Sequence, residues 1–370
     1  MKARRTPFGL GEAVPWFRAA SLNGDPQYGF DTAGGRVVLM LFFGTMRNAA
    51  CVEALARVQA RRAMFDDVAA SFFGVTVDPS DAAQKRIRLQ LPGIRFLLDY
   101  DRSVSRAFGA LPGDDDRYAG HWLLLDRSLR AVATFPLREG EAALDAVAAM
   151  ASAPPMPDWA PAAMVPNVFE PELCRKLIGL YEADGGEESG FMRDVDGMTR
   201  LHHDPHMKIR RDFLIEDMDL ARQLTLRLEH RLNPMIKRVF QYTATRVERL
   251  LVACYEAESG GHFRAHRDTT GKGVAHRRFA VTLNLNADEY EGGDLCFPEY
   301  GPRTYRAPTG GAIVFSCALL HQAMPVTKGR RFAFLPFLYD EADAKLREEN
   351  ARFMEGELAD YRAADDIAFG

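Results

Sequence analysis

Four prolines fall within the stretch Ala153-Pro154-Pro155-Met156-Pro157-Asp158-Trp159-Ala160-Pro161, and no other feature divides the chain so sharply. Proline fixes φ and removes a backbone donor, so neither a helix nor a central strand runs through such a segment. It reads as an inter-domain linker, placed at residues 153–162. At 370 residues the chain also exceeds the ~250–300 over which one core keeps growing. Two domains are therefore expected, at 1–152 and 163–370, each long enough to bury its own core.

The two sides of the linker differ in texture. Before it, short apolar runs alternate with helical patterns at 36–43, 53–65, 71–77, 82–91, 95–98 and 104–108, followed by a hairpin of 121–125 with 131–135 and a helix at 141–150. That alternation predicts an α/β sheet. After it, helical periodicity at 170–181 and 217–240 leads into short β-like runs from 247 to 338. These are punctuated by Gly260-Gly261, Gly292-Gly293 and Gly310-Gly311, which predicts an antiparallel barrel or jelly roll with flanking helices. A polar helix from 341 to about 361 is expected to finish the chain.

The totals exclude several classes. A net charge of −4 offers no basic excess for nucleic acid. The longest apolar run, 37–43, is far shorter than the roughly 18 residues of a spanning helix and reads as a buried strand, so no membrane anchor is expected. Met1-Lys2-Ala3-Arg4-Arg5 is followed by Thr6-Pro7-Phe8-Gly9 where a signal peptide would place its apolar region. Five widely spaced cysteines, Cys51, Cys174, Cys254, Cys296 and Cys317, suit reduced thiols, and a cytoplasmic location is the expectation.

The chemistry is concentrated in the second half. An oxygen-activating iron site needs two imidazoles and one carboxylate on one face of the metal, with the remaining positions open. His266-Arg267-Asp268 supplies two such groups one residue apart, on the same side of an extended segment. His321 follows His266 by 55 positions, enough intervening strand to bring a third ligand back to the first. A second His-x-Asp at His202-His203-Asp204, completed by His262 and Lys272, competes with this set. The helical pattern at 217–240 separates its halves, so it reads better as a polar turn around Pro205. Arg331, ten positions after His321, is suited to grip a carboxylate with its planar fork. It heads the apolar run 332–339, so Arg330 and Arg331 face opposite ways and one of them enters the barrel. Thr282 and Asn284 share one face of the strand after the ligand pair and are further candidates for lining the cavity.

Together these residues resemble the prolyl-4-hydroxylase-type branch of the 2-oxoglutarate/Fe(II) dioxygenases. The resemblance runs over roughly 163–340 through Cys254-Tyr255, Thr282-Leu283-Asn284-Leu285-Asn286, Tyr290-Glu291-Gly292-Gly293-Asp294-Leu295, Gly311-Ala312-Ile313-Val314-Phe315 and His321 to Arg331. It implies Fe(II) on His266, Asp268 and His321, the distal carboxylate of 2-oxoglutarate on Arg331 with help from Tyr255, and ascorbate as a reductant. The implied reaction consumes O2, releases succinate and CO2, and hydroxylates a peptide side chain or a small molecule. With Asp268 filling the carboxylate position, a hydroxylase, or an oxidase derived from one, is expected rather than a halogenase.

The N-terminal domain resembles a thioredoxin-fold peroxiredoxin, with 37–43 as its first core strand and Cys51 at the place of the peroxidatic thiol. The proline and threonine that shape that family's pocket are replaced by Gly44 and Asn48, and Gly120 and His121 stand nearest to the place of its arginine. A structural, docking or substrate-presenting role is therefore expected for this domain. The rival readings are a thiol peroxidase using Cys51 and a non-catalytic 2-oxoglutarate-binding module. Lys208, Arg210 and Arg211, with Asp212 and Glu216 close by, read as a solvated face. His276, Arg277 and Arg278 read as flanking the mouth of the site or as loop charge.

Overall fold

A computed structural model describes residues 6–112, 117–154, 158–195, 197–355 and 367–369. The start of the chain through Arg5, part of the expected linker at 155–157 and the expected helical end at 356–361 lie outside the described residues. The chain divides into two compact units, Met1–Asp158 with Pro298–Gly301 and Trp159–Phe297 with Pro302–Gly370.

The first unit is built on a seven-stranded sheet, in the order Tyr28–Gly29, Arg18–Ser21, Ile94–Leu98, Ala70–Thr76, Val37–Gly44, His121–Leu125 and Ala131–Pro136. The three strands Val37–Gly44, Ala70–Thr76 and Ile94–Leu98 run parallel, and His121–Leu125 runs antiparallel to the first of them. Every residue of Val37–Gly44 is buried, as a continuous apolar run requires of a strand covered on both faces. Alternation sends Val38, Met40 and Phe42 to a core with Phe17, Phe30 and Phe108. It sends Leu39, Leu41 and Phe43 to a second core with Leu55, Val58, Leu144 and Val147.

Cys51 lies in the first turn of the helix Ala49–Ala60, whose N-terminus is capped by the Asn48 side chain accepting from the Ala50 amide. The thiol faces the second core, is 2% exposed and donates to the Phe43 carbonyl at 3.2 Å. Burial, with the Asp81 carboxylate adding to it, pushes its pKa up to about 11. It packs as a thiol in that core, and its raised pKa disfavours the thiolate at neutral pH.

The expected helix at 82–91 is only the short segment Pro79–Ala83, capped by Asp78. Lys85 takes a left-handed conformation at φ 55° and ends it. The fully buried Asp81 accepts from the Met46 amide and the Thr76 hydroxyl, so the chain turns around a carboxylate instead of continuing the apolar periodicity.

In the second unit the helix Pro171–Asp184 carries proline in its first turn and stops at Gly185, where φ is 91°. The helix Met218–Arg227 is capped by Asp217 and passes through a π turn, Leu228–Leu232, into Asn233–Phe240. Leu173, Leu177, Tyr181, Leu224, Leu228 and Ile236 from these helices pack on one face of a ten-stranded sheet. That face presents Val252 and Cys254, Val281 and Leu283, Ala312 and Val314, and Phe332 and Phe334.

Strand alternation then dictates what lies on the other face: Ala253 and Tyr255, Thr282 and Asn284, Ile313 and Phe315, Arg331 and Ala333. Ala253 and Tyr255 pack with Phe263 and Ala323 of a five-stranded sheet. Its order is Lys208–Ile209, His262–His266, His321–Ala323, Leu295–Cys296 and Thr304–Tyr305. The space between the two sheets is the interior to which the candidate site residues belong. Among the described residues the last α-helix is Glu341–Asn350, followed by a 3-10 turn at Ala351–Phe353. Among the described residues no helix is long and apolar enough to cross a membrane.

Candidate metal centre

His266 ends its strand and His321 begins another, and the two stand opposite each other in an antiparallel register that shifts between Phe263 and His266. Two residues further on, the Asp268 amide donates to the Cys317 carbonyl at 3.0 Å, tying the segment to the chain just ahead of His321. The Asp268 carboxylate lies 3.5 Å from His266 Nε2 and 3.4 Å from His321 Nε2. One ligand atom from each residue fits within 4.8 Å of the others, and among the described residues this is the one such group of His, Cys, Asp and Glu.

Hydrogen bonds orient both rings. His266 Nδ1 lies 2.7 Å from the Arg264 carbonyl and His321 Nδ1 lies 3.0 Å from the Leu319 carbonyl. Each Nδ1 must carry the proton to donate there, which turns both Nε2 atoms toward the carboxylate. Burial and the neighbouring His266 push His321 down to about 4, so its ring is neutral. Burial opposes ionisation of Asp268, but His321 and His266 outweigh it and hold the carboxyl well below its ordinary range. Two imidazoles and one carboxylate, already converged, form a donor set that can hold a divalent transition metal.

Arg331 pairs opposite Tyr255 across neighbouring strands and is 3% exposed, whereas Arg330 turns outward to Glu182. The Arg331 guanidinium lies 5.1 Å from the Tyr255 ring centroid, and its Nε has no hydrogen-bond partner among the described residues. Asn284 donates through Nδ2 to the Ala307 carbonyl, while its Oδ1 has no partner among those residues. Thr282 is buried on the same face. An unsatisfied guanidinium nitrogen and amide oxygen in one interior are what a bound polar molecule would complete.

The competing set does not converge. His202 packs on Phe191, His203 lies near Glu188, Asp204 accepts from the His206 amide, and Lys272 lies over Phe353. Two expectations about charge are corrected. Lys208 and Arg210 are not a solvated face but are buried at 6% and 7% exposure, and only Arg211 turns outward, to the Gly185 and Gly186 carbonyls. The reason is that Lys208–Ile209 and Arg211–Leu214 belong to different sheets, so the chain crosses between them at Arg210. His276 and Arg277 neither flank a mouth nor sit in a solvated loop. Both are buried and bound to Glu248 at 2.6 Å, and only Arg278 is half-exposed, paired with Asp343.

The segment 250–339, which carries all of these ligand candidates, matches the 2OG-Fe(II) oxygenase superfamily. A PKHD-type hydroxylase of Cupriavidus metallidurans is 27% identical over 52% of this chain and 83% of its own length. One of Paraburkholderia phymatum is 40% identical over 20% of this chain and 37% of its own. A prolyl hydroxylase from Trichoplax adhaerens overlaps 50% of this chain and 86% of its own at 16% identity, with a TM-score of 0.37. The chain spans about a third of the length of the first curated relatives it matches, 35% and 37%. Residues 250–339 are thus a 2OG-Fe(II) oxygenase domain with PKHD-type hydroxylases among its relatives.

Proposed function

We propose that this chain is an Fe(II)- and 2-oxoglutarate-dependent dioxygenase that hydroxylates a peptide side chain or a small molecule. His266, Asp268 and His321 hold the iron, and Arg331 and Tyr255 hold the distal carboxylate of 2-oxoglutarate, with Thr282 and Asn284 lining the same wall. When bound, Fe(II) with 2-oxoglutarate and O2 supplies the oxidation of a substrate C–H bond, with succinate and CO2 as co-products. The observation that carries this reading is the conjunction, in one interior, of three converged donors and a buried arginine with an unpartnered nitrogen.

The residues' own work is positional. The Arg264 and Leu319 carbonyls fix the two imidazole tautomers, Phe263 stacks on His266 at 3.5 Å and Phe315 meets His321 edge-on at 4.7 Å. These rings exclude water from one side of the donors and limit ring rotation. The second unit's two antiparallel sheets support a jelly-roll reading, and the first unit's mixed sheet supports a thioredoxin-like one. Ascorbate is the proposed reductant and the cytoplasm the proposed location, in keeping with five buried cysteines outside any disulfide.

Anaerobic titration of the purified chain with Fe(II) and 2-oxoglutarate is expected to produce the weak visible band of the chelated metal, and His266→Ala to lack it. A wild-type protein without the band, and without 2-oxoglutarate binding, would sink the proposal. Arg331→Gln leaves the co-substrate carboxylate without its charged partner, a loss of about 2–3 kcal/mol. Half-saturation by 2-oxoglutarate should then need roughly 30–150 times more co-substrate, with Arg331→Lys in between. An unchanged requirement in Arg331→Gln would place the carboxylate elsewhere.

A further inference from the structure

The interior between the two sheets holds more positive charge than its carboxylates neutralise around Lys208. This residue stands opposite Phe263 in the strand register, with its ammonium 4.8 Å from that ring. Phe263 in turn stacks on His266, so one aromatic ring separates the ammonium from a candidate iron ligand. The ammonium has three N–H donors. Two go to Ser189 Oγ at 2.7 Å and the Gly190 carbonyl at 2.6 Å, and the third finds no acceptor among the described residues.

Arg210 adjoins it. The guanidinium donates to the Tyr255 hydroxyl at 3.3 Å, to Ser189 Oγ at 3.1 Å and to Asp212 Oδ2 at 2.6 Å, while its Nε has no partner among the described residues. Arg249 lies 3.5 Å from the same Asp212 oxygen. Arg210 and Arg249 therefore share the Asp212 carboxylate, Lys208 reaches it only through Ser189 Oγ, which donates to Asp212 Oδ2, and Lys208 and Arg210 are more than nine-tenths buried. A buried charge without a counter-charge is costly, and desolvation already pushes the Lys208 ammonium well below its ordinary pKa. An anion seated here would offset both.

We propose that Lys208 and Arg210 form a carboxylate-binding subsite beside the metal centre, and that the substrate is an anion whose carboxylate seats there while a neighbouring C–H bond is hydroxylated. The subsite rests on the dioxygenase reading above. It adjoins the co-substrate anchor, since Arg331 and Arg210 each lie against the Tyr255 ring, at 5.1 Å and 5.7 Å, with Arg331 and Tyr255 serving 2-oxoglutarate and Lys208 with Arg210 serving the substrate. The carboxylate can belong to an acidic peptide side chain or to a small organic acid.

The test uses the full chain loaded anaerobically with Fe(II) and saturating 2-oxoglutarate, with binding followed by calorimetry. One arm compares a capped pentapeptide Ala-Ala-Asp-Ala-Ala with its Asn counterpart, and the other compares cyclohexanecarboxylate with its amide. In the arm that matches the natural source, the acid should bind at least tenfold more tightly than the neutral partner. Lys208→Met should bring that ratio close to one with the visible band intact, and Lys208→Arg should restore it. A ratio near one in both arms of the wild type, including binding of neither partner, overturns the subsite, as does selectivity that survives in Lys208→Met. Loss of the band in Lys208→Met would assign the lysine to the co-substrate site and overturn it too. A wild type that never forms the band is a failure of the dioxygenase reading itself, whereas a band without anion preference is a failure of the subsite alone.

Discussion

Asp268→Ala is expected to abolish Fe(II)-dependent succinate release and the visible band of the 2-oxoglutarate complex while the chain stays folded. The carboxylate is the only anionic member of the donor set, and each of its oxygens lies within 3.5 Å of a different imidazole Nε2. Removing it leaves two imidazole rings to hold a dication in a water-poor interior. Loss of a group that merely supports a ligand costs roughly 10–100-fold in metal affinity, so loss of the ligand itself should exceed that. Asp268→Glu keeps the charge but adds a methylene to a carboxylate that already touches both rings, and it should fail nearly as badly. The folded state should survive because both Nδ1 atoms keep their carbonyl partners. Succinate release in Asp268→Ala within tenfold of wild type would mean that the metal is held elsewhere.

The convergence of His266, Asp268 and His321 was legible from sequence because its logic is local and periodic. One intervening residue on an extended segment puts His266 and Asp268 on one side, and period-two alternation separates Arg331 from Arg330, as their burial reflects. The surroundings of the site were harder to read. Asp212 stands so close in sequence to Lys208 and Arg210 that local charge counting reads as solvated neutralisation. Burial there is decided by a crossing between two sheets, and strand runs of two and four residues are too short to reveal it. His276 and Arg277 were misread for a related reason. Their partner, Glu248, lies on a strand 28 positions earlier, and a non-local counter-charge leaves no periodic trace. The helical pattern at 82–91 failed because the buried Asp81 takes its hydrogen bonds from another strand and loop, a tertiary demand that overrides local propensity.

Glu248→Ala should destabilise the second unit by about 3–5 kcal/mol, because it strands two buried partners at once. The Glu248 carboxylate accepts from His276 Nε2 and Arg277 Nη2, both at 2.6 Å, and the Arg277 guanidinium lies 4.0 Å from the Phe337 ring. His276 Nδ1 has no partner among the described residues, which fits a neutral ring donating through Nε2. Burial pushes His276 below its ordinary 6.5. For Glu248, burial works against the charged form, but Arg277 and His276 prevail and hold it well below its ordinary 4.5. Both folded-state values are depressed, so the sign is the same for each group: the unfolded chain binds more protons, and stability falls as pH falls. The contribution of this cluster is complete above about pH 6.5. It declines first as the unfolded His276 takes up its proton, then further below about 4.5 as the unfolded Glu248 does. A chain of two units need not melt in one step, so amide hydrogen exchange in Arg246–Glu248 and Phe337–Tyr339, which pair with each other, is the suitable readout. Exchange there should accelerate in Glu248→Ala at pH 7. Adding Arg277→Met should cost less than the sum of the two single changes, because the second removes the charge that the first left unpaired. A loss under about 1 kcal/mol in Glu248→Ala, typical of an exposed ion pair, would show that the cluster is hydrated and does not anchor the sheet behind the metal centre.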